Sequence, residues 1–304
     1  MITTENMDAP TLIVVLGATG VGKTVAAVAL AQQLGTEIVS CDSRQLYREM
    51  PVGTAAPTAA QRAAVPHHFI ASHSIRQPYT AGRYETEALA VLDTLFATHR
   101  TALMVGGSGL YIDAVCRGID DFPDADPILR QTLTERCLHE GLDSLRRELK
   151  TLDEESYRSL DLQNSHRIIR ALEVTIATGK PYSSLKKNCR KERPFRIVKI
   201  GLQLPRETLY DRINHRVRQM MDDGWIDEAR SLYPFRHLPA LNTVGYKELF
   251  EYFDGKTNLD QTIALIQQHT RNYAKKQCSY WARDNDIQWT RSLNIENGVL
   301  KMIS

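Results

Sequence analysis

The chain has 304 residues, 42% of them hydrophobic and 24% charged, with a formal net charge of +2. That composition suits one large α/β domain with room for an insertion, and so small a net charge leaves any polyanion surface to the distribution of basic residues. Five scattered cysteines (Cys41, Cys116, Cys137, Cys189, Cys278) with no C-x-x-C pair exclude a disulfide framework or zinc ribbon; the absence of any apolar run near the roughly 18 residues of a membrane span, and of a secretory pattern in MITTENMDAPT, leaves a cytoplasmic protein as the expectation.

TLIVVL at 11–16 reads as a buried parallel strand running into a glycine loop. TVAAVALAQQL follows as a helix, with Gly35 where a C-cap belongs. EIVSC at 37–41 is a second strand ending at Asp42. A helix over 81–98, with Leu89, Leu92 and Phe96 at helical spacing, leads to a third strand, TALMV, which ends at Gly106-Gly107. This is the grammar of a doubly wound parallel sheet. From 123 to 190 no strand is expected. SHRIIRALEVTIATGK there reads as a helix with Asn164 or Ser165 at its start and Gly179 at its end. A strand returns at 195–204, helices follow at 206–222, 225–233, 244–253 and 259–283, and a short strand is expected at 286–290. The predicted architecture is an α/β core over 1–122 and 191–304, a P-loop NTPase-like parallel sheet flanked by helices, with an all-helical insertion domain over 123–190.

Gly17-Ala18-Thr19-Gly20-Val21-Gly22-Lys23-Thr24 matches G-x-x-x-x-G-K-[ST], the phosphate-binding P-loop. Its glycines let amides turn inward around phosphate oxygens, and the next helix adds its positive end. Lys23 supplies a point charge, and the Thr24 hydroxyl suits Mg²⁺. Asp42 ends the second strand, at the sheet edge where open parallel sheets hold ligands. It can act as a base there, or simply cap a following helix. The third strand ends in glycines and Ser108, where a kinase or NTPase would be expected to carry an acid for Mg²⁺. Basic residues recur at helical spacing: Arg167 and Arg170, Arg212 and Arg216, a cluster between Lys186 and Arg196, and Arg271, Lys275, Lys276 and Arg283 interleaved with Tyr273, Tyr280 and Trp281. Such clusters suit RNA backbone neutralisation and base stacking. His67-His68 makes a poor metal pair, because neighbours in a strand point apart.

The segments SCDSRQLYREMPVGTAAP, PHHFI, YTAGRYE, VGGSGLY, NSHRIIRALEVTIATGKP, LYDRINHRVRQMMDDGWIDEA, NTVGYKEL and TRNYAKKQCSYW, together with GATGVGKT, resemble those of tRNA dimethylallyltransferases over nearly the whole chain. The resemblance implies transfer of a dimethylallyl group from dimethylallyl diphosphate to the N⁶ amine of the adenosine 3′-adjacent to the anticodon, in tRNAs reading codons that start with U. It implies diphosphate binding by the P-loop residues Gly17, Ala18, Thr19, Gly20, Val21, Gly22, Lys23 and Thr24, with Mg²⁺ at Thr24. Catalysis would fall to Asp42, as general base, with Lys23 and Ser108. The tRNA anticodon stem-loop would be bound by Asp42, Ser43, Arg44, Gln45, Ser108, Arg130, His166, Arg167, Ile168, Ile169, Arg170, Arg216 and Arg271. The family commonly has Thr at Ser108, Gln at His166 and Arg at Lys276. A monomer is expected. An adenylate isopentenyltransferase, a P-loop kinase of small metabolites and a non-catalytic RNA-binding NTPase switch are the alternatives.

Overall fold

A computed structural model of the chain describes residues 9–120, 122, 126–187 and 190–291; Cys189 and most of the N-terminal stretch read for a signal lie outside them. The contacts divide the chain into two compact units. One runs to Arg117 and resumes at Glu192; the other is Gly118–Lys191.

The first unit opens with β1 (Thr11–Gly17), α1 (Lys23–Leu34), β2 (Ile38–Ser40), α2 (Ala59–Ala64), β3 (His67–His68), α3 (Ala81–Phe96), β4 (Thr101–Gly106) and α4 (Gly109–Arg117). The second unit holds α5 (Pro127–Glu140), α6 (Leu142–Leu152), α7 (Glu154–Ser159), α8 (Ser165–Thr178) and α9 (Tyr182–Leu185). The first unit then resumes with β5 (Arg196–Gln203), α10 (Arg206–Asp222), α11 (Trp225–Leu232), α12 (Tyr246–Phe253), α13 (Leu259–Trp281) and β6 (Ile287–Arg291).

The sheet has the order β3-β2-β4-β1-β5-β6, and every pairing is parallel. β1 lies at its centre, and all seven of its residues are buried. Because helices cover both faces, the strand is apolar on both sides. Leu12, Val14 and Leu16 pack into one face with Ala88 and Leu92 of α3. Ile13 and Val15 pack into the other with Ala27 and Leu30 of α1 and Ile213 of α10. The period-2 alternation of side chains thus builds two cores from one strand.

The register sets the site. Leu16 of β1 pairs with Gly106 of β4, and Ser40 of β2 pairs with Val105 of the same strand. The ends of β1, β2 and β4 therefore lie side by side, bringing the P-loop, Asp42 and Ser108 to one edge. Gly106 makes this close approach possible, since a Cβ there would sit 2.6 Å from the Cys41 carbonyl oxygen.

The helical unit has its own core, with Leu133, Leu145, Leu149, Ile168 and Leu172 fully enclosed. Asn164 caps α8 by accepting the Arg167 amide at 3.2 Å, and Gly179 closes it in the left-handed conformation.

Candidate active site

The P-loop turns from β1 into α1 through Gly22, whose φ of 102° favours glycine. Lys23 folds back over the loop and donates through Nζ to the carbonyls of Gly17 (2.8 Å) and Ala18 (3.0 Å). Burial lowers its pKa to about 8, opposed by the nearby Asp42 carboxylate and assisted by Arg216. Two arginines of α10 attend the loop: Arg216 Nη1 lies 3.5 Å from the Thr19 hydroxyl, and Arg212 Nη1 donates to the Val21 carbonyl at 3.4 Å. Burial also lowers the pKa of Arg216, with Asp42 countering. The loop is thus flanked by cations before any ligand arrives.

Asp42 is held by its own turn. Its Oδ1 accepts the amides of Arg44 (2.9 Å) and Gln45 (3.2 Å). No helix follows directly, so the expected helix cap is here an Asx-type turn. Ser108 steadies the turn from β4: its Oγ accepts the Ser43 amide at 2.9 Å and donates to Ser43 Oγ at 3.0 Å. The side chains of Arg44 and Gln45 also brace the site. Arg44 Nη1 donates to the Ala240 carbonyl at 2.9 Å, and Gln45 Nε2 donates to the carbonyls of Thr54 and Ala55, each at 3.1 Å. Glu228 of α11 then fixes the facing loop by accepting the amides of Val52 (2.7 Å) and Gly53 (2.8 Å) and the Tyr246 hydroxyl (2.6 Å).

Two cavities meet here. The smaller, about 480 Å³, is lined by Lys23, Thr24, Gly106, Gly107 and Arg212. The larger, about 740 Å³, is lined by Asn242, Thr243, Lys247, His269, Asn272 and Lys276. Thr19, Asp42, Thr54, Arg216, Met220 and Tyr273 line both. The smaller chamber offers cations and P-loop amides, which suits a phosphate chain. The larger offers hydrogen-bonding side chains and the Tyr273 ring, which suits a base. Asp42 stands at their junction.

Among the described residues no group of three or more His, Cys, Asp or Glu could hold a metal ion. The Thr24 hydroxyl and the Asp42 carboxylate nevertheless line the smaller cavity together. That sparse oxygen set fits Mg²⁺, which takes one or two protein oxygens and fills its shell with water and substrate phosphate.

The remaining residues expected at an RNA surface divide sharply. His166 and Arg167 are exposed on α8. Arg130 and Arg170 converge on Glu173, whose side chain is 1% exposed: Arg130 binds it through Nε (3.1 Å) and Nη2 (2.6 Å), and Arg170 through Nη1 (2.9 Å). Both guanidiniums are thereby aimed while staying partly accessible. Ile168 and Ile169 do not reach any surface. Both are buried in the core of the helical unit, where they pack with Leu133, Leu145 and Leu172. Arg271 donates to Asn214 Oδ1 at 2.6 Å, tying α13 to α10. Arg216 lines both chambers rather than an open basic face, since it shares one helix side with the buried Ile213 and Met220. In the basic cluster between Lys186 and Arg196, Arg193 is buried against Glu85 at 2.7 Å.

Gln277 and Glu228 were not among the expected site residues. Both act across long sequence separations, and although each lies inside a segment that carries the family resemblance, nothing in those segments singled them out. The one available signal was the position of Gln277 on α13, three residues before Tyr280 and four after Tyr273, on a helix already read as functional.

A family model described as IPP transferase matches residues 45–284. A Porphyromonas gingivalis protein named tRNA dimethylallyltransferase 2 is 50% identical to this chain, covering 97% of it and 98% of the relative. A Phocaeicola vulgatus protein named tRNA dimethylallyltransferase 1 is 52% identical over 92% of this chain and 93% of its own. The crystal structure of a tRNA isopentenylpyrophosphate transferase from Bacillus halodurans matches with a TM-score of 0.70 at 32% identity, covering 97% of each chain. The chain belongs to the IPP transferase family.

Proposed function

We propose that the chain transfers a dimethylallyl group from dimethylallyl diphosphate to the N⁶ amine of the adenosine 3′-adjacent to the anticodon, in tRNAs that read codons starting with U. The observation that carries this reading is the placement of Asp42 where a phosphate-binding chamber meets a second, polar chamber. β4 ends at Gly106 and is followed by Gly107 rather than by an acid, which argues for a leaving diphosphate over nucleotide hydrolysis.

The chemistry follows from these positions. The amine lone pair attacks the dimethylallyl carbon that bears the diphosphate oxygen. The carbon–oxygen bond breaks, and its electron pair leaves with the diphosphate. P-loop amides, Lys23, Arg212 and Arg216 stabilise the charge that gathers there. The amine proton grows acidic as the bond forms and passes to Asp42. Oδ1 of Asp42 already holds two backbone amides, so the carboxylate is oriented before the adenine arrives. Ser108 supports this indirectly by fixing Ser43. Mg²⁺ would be held at the Thr24 hydroxyl and, when bound, would supply further charge neutralisation on the leaving group.

The adenine must leave its stack to enter. Tyr273 and the polar residues of the larger chamber suit the flipped base, and Arg130, His166, Arg167 and Arg170 suit the RNA backbone. Among the described residues no helix is long and apolar enough to cross a membrane, in keeping with work in the cytoplasm.

Incubation with total tRNA, Mg²⁺ and dimethylallyl diphosphate, followed by nucleoside mass spectrometry, tests the assignment. A prenyl mass gain on adenosine is expected. No gain, or a gain on free adenylate alone, overturns it.

A further inference from the structure

The amide at the head of the P-loop is already engaged. Thr19 N–H donates to Gln277 Oε1 at 2.9 Å, and Gln277 Nε2 donates to the Gly107 carbonyl at 2.8 Å. Gln277 comes from α13, 258 residues away, is 7% exposed, and lines the chamber that holds Lys23 and Thr24. Both ends of its carboxamide are satisfied, which fixes the orientation: the reverse flip would set donor against donor and acceptor against acceptor. The fit is close, because a Cβ on Gly107 would come within 2.5 Å of Gln277 Nε2.

A P-loop that serves a nucleoside triphosphate cradles its inner phosphates on loop and helix amides, and its lysine reaches the outer ones. In this chain the start of α1 retains the free amides of any helix N-terminus, enough for a diphosphate. A third phosphate would have to lie toward the head of the loop. A neutral, buried carboxamide stands there. A phosphate oxygen displacing it can satisfy Thr19 N–H but not Gly107, whose carbonyl would then face an anion.

We propose that Gln277 is a specificity-determining residue that closes the head of the P-loop, so that the loop accepts a diphosphate and rejects a triphosphate chain. The proposal rests on the diphosphate reading above.

The test is calorimetric titration of the full chain, with Mg²⁺ and without tRNA, using inorganic diphosphate and inorganic tripolyphosphate. The wild-type chain is expected to bind diphosphate about tenfold more tightly, although tripolyphosphate carries more charge. In Gln277→Ala that preference should collapse to about threefold or less, or invert. A merely structural role would weaken both ligands together and leave the ratio intact. A wild-type ratio near one overturns the proposal without any variant, as does a folded Gln277→Ala chain that keeps the wild-type ratio. Absence of diphosphate binding overturns the diphosphate reading itself, and with it this proposal.

Discussion

Raising the pH from 7 to 9 discharges Lys23, and the affinity for a diphosphate ligand should fall with it. The pKa of this lysine in the empty site is about 8 rather than 10.5, because burial penalises the charged form more than Asp42 favours it. At pH 7 roughly nine-tenths of the molecules carry the charge, and at pH 9 roughly one-tenth. A bound diphosphate favours the charged lysine, so binding takes up a proton in this range. The second ionisation of a phosphate monoester has its midpoint near pH 6, so the charge of the ligand changes little above pH 7. The dissociation constant of dimethylallyl diphosphate should therefore rise about tenfold between pH 7 and pH 9. Calorimetry in buffers of different ionisation enthalpy measures both the constant and the proton uptake. Lys23→Met should bind weakly at pH 7 and show a flat profile. A wild-type profile that is flat from pH 7 to 9 would refute the assignment of Lys23 to the phosphate chain. The sign for folding runs in the opposite sense. Between about pH 8 and 10.5 the unfolded chain binds more protons at this group than the folded one, so the Lys23 contribution to stability rises with pH across that window.

Asp42→Asn keeps an oxygen for the amides of Arg44 and Gln45 but removes the base; the single-turnover rate should fall by roughly 10²-fold or more while the melting temperature holds, and an unchanged rate would remove Asp42 from the base role. Arg167→Ala should weaken tRNA binding and reduce its salt slope by about one while diphosphate affinity stays the same; filter binding across a salt series measures this, and an identical slope would count against the RNA surface. Glu173→Ala removes the shared partner of two partly exposed guanidiniums and should destabilise the helical unit by about 1 kcal/mol. The expected signature is an earlier loss of helical circular dichroism with little change in tryptophan fluorescence, because Trp225, Trp281 and Trp289 all lie in the other unit. Coincident shifts of the two signals would contradict that picture.

The sequence made the sheet legible because its signals are local. TLIVVL followed by a glycine loop can be little else than a buried strand entering a P-loop, and Gly35, Asn164 and Gly179 each close or open a helix where composition placed them. The roles of the basic residues were less legible, because charge says nothing about facing. Arg216 was read with Arg212 as a surface pair, yet Ile213 three residues before it and Met220 four after it place it on the inward side. Arg193 seemed part of a basic run until burial paired it with Glu85. Ile168 and Ile169 entered the expected RNA set through the family resemblance, and the packing of α8 buries both. Asp42 was legible as a strand-end carboxylate, whereas its Asx-type turn depends on the amides of Arg44 and Gln45 and on no pattern of hydrophobicity. Contacts such as those of Gln277 and Glu228 are set by the fold as a whole and leave no periodic trace.

The position of β5 has a consequence for how the chain folds. β5 pairs along the full length of β1 at the centre of the sheet, but it is synthesised only after the entire helical unit. Until then one edge of β1 waits, and joining β4 to β5 means closing a loop of roughly 90 residues. The ends of the helical unit already adjoin, since a Cβ on Gly118 would touch the aliphatic stem of Lys191. If that unit folds first, on its mostly local helical contacts, the loop shortens to an effective ~15 residues and its closure becomes easier by roughly 1.5 kcal/mol. The insertion would then serve as a folding clamp for the core. Refolding of Glu173→Ala, followed through the core tryptophans, should be slower than that of the wild-type chain; equal rates would show that the core assembles without waiting for its insertion.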